Sequence, residues 1–201
     1  MAIKPILFNT EMVRAILDGR KTCTRRVIEL PENMDGVPVG KSGDSSNPLG
    51  FMYPGGIKRP PYQPGDILYV RETWCALPVN EAGHMRGHSI YYYRADGDLR
   101  PEGWRGKWRP SIHMPKEAAR IWLKVTNVRV ERLQEITIDG IRNEGISSMA
   151  VHAGDMEIAL KEWKNLWNST IKKTDLDSYG WEANPWVWVI EFERCEKPEG
   201  V

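Results

Sequence analysis

Gly19-Arg20-Lys21-Thr22-Cys23-Thr24-Arg25-Arg26 follows directly on a short amphipathic segment whose Met12, Val13, Ile16 and Leu17 fall on one face of a helix. Thr10 stands at the expected N-cap of that helix, and Gly19 where a helix commonly ends in a left-handed residue. The chain thus leaves a helix C-terminus and presents at once a lysine, two threonine hydroxyls and three arginines. Run as an extended segment, it places Thr22, Thr24 and Arg26 on one face and Lys21, Cys23 and Arg25 on the other. A loop would instead let Lys21 and Thr24 converge. In either conformation the stretch is dense in phosphate binders. A solvated basic turn beside a helix dipole is the plain alternative.

Three further blocks lie in order down the chain: Val70-Arg71-Glu72-Thr73-Trp74, Trp108-Arg109-Pro110-Ser111-Ile112-His113-Met114-Pro115, and Asn184-Pro185-Trp186-Val187-Trp188-Val189-Ile190. With the GRKTxTxR pattern after an N-terminal helix, they resemble the ASCH domain family, and in particular its longer phage- and prophage-associated members. The resemblance spans most of the chain. It implies an α+β fold, a PUA-like mixed β-barrel with flanking helices, in a single domain over residues 1–201. Loop-rich insertions are expected at about 31–65 and about 80–110.

Lys and Arg total 28 against 27 Asp and Glu, so net charge alone says nothing about nucleic acid. Local clusters are informative: Arg14, Arg20, Lys21, Arg25 and Arg26 form one, and Arg100, Arg105, Lys107 and Arg109 another. Three cysteines without CxxC spacing make no disulfide framework and suit a reducing, cytoplasmic compartment. The N-terminus does not read as a signal peptide, and no apolar run approaches a membrane span. The nine tryptophans are many for this length; core packing is their default use, and base stacking the alternative.

Periodicity places the elements. Pro64-Gly65-Asp66 turns the chain into a strand over 66–74, alternation marks strands over 120–130 and 186–194, and residues 89–94 make another. Residues 31–65, rich in Pro, Gly, Ser and Asn, read as a long irregular insertion. A helix opens near Thr137 and stops at Gly145, with Glu144 in its last turn, where a negative charge opposes the dipole. A third helix runs from about Asp155 to Asn168, with Met156, Leu160, Trp163 and Trp167 as its core stripe. The first helix is expected beside the barrel mouth.

Small ASCH proteins include amidohydrolases that remove the acyl group of N4-acetylcytidine with a lysine, a threonine and a glutamate. Carried over residue by residue, the resemblance implies Lys21, Thr24 and Glu144, with Glu72 and Glu135 as fallback carboxylates. The chemistry is coherent. A threonine hydroxyl needs a base beside it to become a nucleophile, and a lysine that titrates at about 10.4 in water serves only if burial or neighbouring cations lower its pKa. The carboxylate orients the amine or protonates the leaving nitrogen.

The remaining nucleic-acid or nucleotide contacts are expected from Arg20, Thr22, Arg25 and Arg26, with Trp104, Arg105, Trp108 and Arg109 as an aromatic–basic ribbon that stacks bases and clamps phosphates. Its two tryptophans also suit a plug at the barrel end. No metal site is expected: His84 and His88 have helical spacing but lie among glycines, and His113 stands alone between strands. Cys23 has no sequence-adjacent histidine to activate it. There is no Walker or Rossmann motif, and no cofactor is implied. The expected partner is RNA, a nucleotide or a modified nucleoside. Four function classes follow: an N-acylcytidine amidohydrolase, a non-catalytic RNA- or modified-base-binding module, a phage-linked interaction protein, and a ribonuclease.

Overall fold

The computed structural model describes residues 1–31, 34–44, 46–47, 49–78, 89–103 and 106–200. Its elements run β1 (Ile3–Leu7), α1 (Thr10–Leu17), β2 (Cys23–Val27), β3 (Val37–Val39), β4 (Gly50–Tyr53), β5 (Gly56–Lys58), β6 (Ile67–Arg71), β7 (Trp74–Pro78), β8 (Ser89–Tyr93), β9 (Trp122–Arg132), α2 (Ile138–Asn143), α3 (Met149–Ala153), α4 (Met156–Thr170), α5 (Leu176–Tyr179) and β10 (Trp186–Cys195). This is a mixed α+β architecture. No helix of the described residues is long and apolar enough to cross a membrane.

The central sheet has the order β1-β6-β9-β10-β2. β1 runs parallel to β6, and the other pairs are antiparallel. Alternating residues of β10 bury on opposite faces, which is why its sequence reads as an almost unbroken apolar run. Trp188 and Ile190 join Ile6, Leu68 and Leu123 and the inner face of α1 (Val13, Ile16). Val187 and Val189 face a second core formed with Ile141, Val151, Trp163 and Trp167. The tryptophan stripe of α4 is thus structural, and losing either ring would cost about 3–5 kcal/mol.

The pairing order ends on β1 and β2, and no ladder joins these two edges among the described residues. The sheet is open where a closed barrel was expected. A side chain crosses the gap instead of a ladder: the Arg26 guanidinium on β2 donates to the Leu7 carbonyl of β1 at 3.0 Å.

Other departures from the sequence reading have local causes. The first helix is capped by Asn9, not Thr10, because the Asn9 side chain accepts from the Met12 amide at 2.9 Å. The stretch 31–65 contains the three-stranded sheet β3-β4-β5 rather than only irregular chain. Its strands are too short, and too rich in Gly and Pro, to show period-2 alternation, yet Phe51 is fully buried with its ring centroid 5.4 Å from that of Trp186. The expected strand 66–74 breaks after Arg71, and the chain resumes as β7 in a separate hairpin with β8. The break sits where Glu72 is buried against Arg120, which forms two hydrogen bonds to its carboxylate, at 2.9 and 3.0 Å.

Asp66 explains the Pro-Gly-Asp turn. Its carboxylate accepts from the amides of Ala2 and Gln63 and from the Lys4 ammonium, tying β1 to the start of β6. Burial opposes ionisation of Asp66, but these donors outweigh it and hold its pKa below the usual carboxylate value.

Candidate functional site

The Gly19–Arg26 stretch is shaped by its two neighbours, α1 and the end of α2. Gly19 adopts φ +73°, and the amides of Arg20 and Lys21 then both close on the Ala15 carbonyl. The chain next crosses the end of α2: the Thr22 amide donates to the Asn143 carbonyl, and Lys21 and Glu144 form an isolated antiparallel bridge. Gly145 (φ +96°) is the residue that permits this approach, since a Cβ there would stand 2.7 Å from the Ala15 Cβ and 3.1 Å from the Lys21 Cβ. Only after this crossing does the segment become β2 and pair with β10.

Lys21 Nζ donates to Glu144 Oε2 at 2.6 Å and to the Glu144 carbonyl at 3.0 Å, with both side chains withdrawn from solvent. Arg25 Nη1 donates to the other carboxylate oxygen, Oε1, at 3.0 Å. Glu144 is the C-cap residue of α2. Two cations therefore offset the charge that its position on the helix dipole makes unfavourable. Arg25 is gripped from behind by Glu131, which accepts from Nε at 2.8 Å and Nη2 at 2.6 Å, and its guanidinium lies 5.7 Å from the Trp163 ring. Burial works against the Arg25 charge, but Glu144 and Glu131 prevail and raise its pKa. Cys23 beside this group is driven the other way: burial, reinforced by Glu144, raises its thiol to about 12, so it is a protonated, inert side chain at neutral pH.

The alternation of β2 turns Thr24 and Arg26 to the opposite face. Thr24 is buried, and its hydroxyl accepts from Arg26 Nη1 at 3.2 Å; no hydrogen bond joins it to Lys21 or Glu144. The two groups meet indirectly around Phe8, whose ring centroid lies 5.6 Å from Lys21 Nζ and 5.5 Å from the Arg26 guanidinium carbon.

A cleft of about 920 Å³ opens where the sheet fails to close, between the end of β1 and β2. Its lining includes the buried rings of Phe8 and Trp167, the partly exposed ring of Tyr62, and the cations Arg25, Arg26, Lys58 and Arg59. Lys21, Thr24 and Glu144 do not line it. Arg26 does, so Thr24 lies one side chain behind the cleft wall.

The other expected site residues are placed as follows. Arg20 is held by Asp18 and by the Gly145 carbonyl, and exposed Thr22 is engaged through its backbone. Two guanidiniums occupy the Trp108 ring, Arg100 at 4.7 Å and Arg94 at 5.4 Å, and Arg109 covers Trp74 at 5.2 Å. Neither Trp108 nor Arg109 lines the cleft, which the described residues of this segment meet at Pro110 and Ser111. Trp104, Arg105, His84 and His88 lie outside the described residues. His113 is exposed in a short turn. Of the fallback carboxylates, Glu72 is bound to Arg120 and Glu135 caps the amide of Arg132. Glu144 is the one that the fold brings to Lys21.

The sequence reading missed Glu131, whose signal was its place on the long strand paired with β10, and Lys58 and Tyr62, which come from the insertion. No family model matches the chain, and no curated protein does. Among solved structures it is similar to a high-resolution crystal structure of an ASCH domain from Lactobacillus crispatus JV V101, with 11% identity and a TM-score of 0.40, over 96% of this chain and 79% of that one.

Proposed function

We propose that this chain is an ASCH-type, PUA-like protein that binds a nucleoside or a nucleic-acid base in the cleft between β1 and β2. The carrying observation is the composition of that cleft: the partly exposed ring of Tyr62, backed by buried Phe8 and Trp167, stands with cations from Arg26 and Lys58 in one concavity of nucleotide size. Aromatic rings supply sequence-tolerant stacking, and the cations favour the negative charge that accompanies bases in RNA. Quenching of tryptophan fluorescence by nucleosides, nucleotides and short RNAs tests this. Saturable quenching that weakens when Tyr62 is replaced by alanine supports it, and absence of binding to all three classes ends it.

A second reading, hydrolysis of the acyl group from an N4-acylated cytidine, rests on the buried contact between Lys21 and Glu144. In that chemistry Lys21 first passes an ammonium proton to the Glu144 carboxylate, and as an amine it then takes the hydroxyl proton while the Thr24 oxygen attacks the acyl carbon. The bond from carbonyl carbon to N4 breaks as that nitrogen is protonated, and water then releases the carboxylate from Thr24. Glu144 orients the amine. The step requires Arg26 to release the Thr24 hydroxyl and Lys21 to come within hydrogen-bond reach of it, since no hydrogen bond joins the two here. Release of carboxylate from a panel of acylated cytidines separates this reading from binding alone.

A further inference from the structure

Arg26 differs from its neighbour Arg25 in the company it keeps. It is partly buried, and its hydrogen bonds run to the Thr24 hydroxyl at 3.2 Å, the Arg25 carbonyl at 3.3 Å and the Leu7 carbonyl at 3.0 Å. Every acceptor is neutral. Its neighbour Arg25, by contrast, is held by two carboxylates. A guanidinium drawn from water without an anion carries an uncompensated desolvation cost, which a bound anion would remove. Burial accordingly lowers the Arg26 pKa, against the opposing influence of Glu144 and Tyr62.

Lys58 repeats the pattern from the opposite wall. The register Phe51↔Lys58 turns its side chain to the same face as the buried Phe51, away from the exposed Met52 and Ile57. Its ammonium donates to the backbone carbonyl of Glu29, not to a carboxylate, and two of its three donors remain for another partner. The acid that lines the cleft, Glu29, is exposed and forms no ion pair with either cation.

We propose that the cleft takes a phosphate-bearing ligand, a nucleotide free or within an RNA strand, with Arg26 and Lys58 as its phosphate-binding groups, so that an uncharged nucleoside is a poor ligand. This deepens the base-binding reading and rests on it. Under the second reading it makes the acylated substrate a nucleotide unit. Lys58 comes from the β3-β4-β5 sheet, so the insertion supplies one wall of the site and selects the charged form of the ligand.

Isothermal titration of the full chain with cytidine, cytidine 5′-monophosphate and a short single-stranded oligoribonucleotide tests the proposal. The monophosphate should bind about tenfold or more tighter than cytidine, because charge-assisted bonds to phosphate add to stacking. That advantage should shrink severalfold as salt rises from low to physiological concentration and in Lys58→Ala. It should vanish in Arg26→Ala and survive in part in Arg26→Lys. Should Arg26→Ala fail to fold, Lys58→Ala at its partly exposed position still decides. An oligoribonucleotide that binds tighter than the monophosphate assigns the phosphate to a strand; equal binding assigns it to a free nucleotide. Equal affinity for cytidine and its monophosphate overturns the inference and leaves base binding standing. A preference unchanged in Lys58→Ala removes Lys58 from the site. Failure of all three ligands to bind overturns the base-binding reading and the inference with it.

Discussion

Lys21 and Glu144 are 123 residues apart in sequence, yet they share a 2.6 Å ion pair from which solvent is excluded. The pair is closed by backbone as well as side chain, since the two residues also form a β-bridge and the Lys21 ammonium reaches the Glu144 carbonyl. It belongs to a longer alternation of charge, Arg129–Glu131–Arg25–Glu144–Lys21, that runs from the surface of β9 to the end of α1.

Truncating one partner leaves the other charge buried alone. Lys21→Ala and Glu144→Ala should each lower stability by about 3–5 kcal/mol in urea denaturation. Glu144→Ala should be the more damaging, because it also deprives Arg25. The double variant should cost clearly less than the sum of the two, the sign of direct coupling. Additive losses would show that the contact contributes nothing of its own.

Gly145→Ala should destabilise by about 1–3 kcal/mol, from a positive φ together with the crowding of its Cβ against the Cβ atoms of Ala15 and Lys21. Gly19→Ala provides the control: its φ is also positive, but its Cβ meets nothing within 4 Å. Gly145→Ala should therefore lose more than Gly19→Ala, and equal losses would mean that crowding at the α1–α2 crossing has no energetic weight.

Cys23 sets an alkaline limit on stability. Its thiol ionises at about 12 in the fold against a normal value of 9.0, so between these values the native chain keeps a proton that the unfolded chain has lost. Stability should consequently fall as pH rises above about 9, by up to ~1.4 kcal/mol per pH unit from this group. Cys23→Ala should flatten that slope. A thiol reagent at pH 8 should label half-buried Cys195 in the native protein and reach Cys23 and Cys75 only on unfolding. Rapid native labelling of Cys23 would contradict its placement.

For catalysis, Thr24→Ala and Lys21→Ala should each abolish nearly all release of carboxylate from N4-acylated cytidine, because groups that act as one unit are lost together. Thr24→Ala removes one hydroxyl that accepts a single hydrogen bond, so it should remain folded and gives the cleaner comparison. A folded Thr24→Ala with unchanged turnover excludes that hydroxyl as nucleophile. A wild-type protein inactive on every acylated nucleoside and nucleotide leaves the binding reading alone.

Much of the scaffold was legible because it is written in local periodicity. The runs Trp122–Arg132 and Trp186–Cys195 alternate strongly enough to be strands wherever they pack, and Trp163 and Trp167 mark the inner face of α4 without reference to their partner. The caps Thr137 and Asp155, and the turn glycines 19 and 145, were likewise set by short-range chemistry. Phe51 and Lys58 were not, since strands of three or four residues with glycine and proline carry no readable period.

The sequence by itself determined which residues alternate, which helices carry apolar stripes, and that Lys21, Thr24, Arg25 and Arg26 arrive together after a helix. Only the tertiary structure decided what each of them meets. Alternation along β2 is fixed by backbone geometry, but which face receives Glu131 and Glu144 and which receives Phe8 depends on the register with β10 and on α2 docking through Gly145. The same packing leaves β1 and β2 unpaired, so that a cleft opens beside Arg26 while Thr24 is shut behind it. The contacts of Arg25 with Glu131 and Glu144, and of Gly145 with Lys21, join residues more than a hundred positions apart, and no pattern within a few residues of either partner contains them.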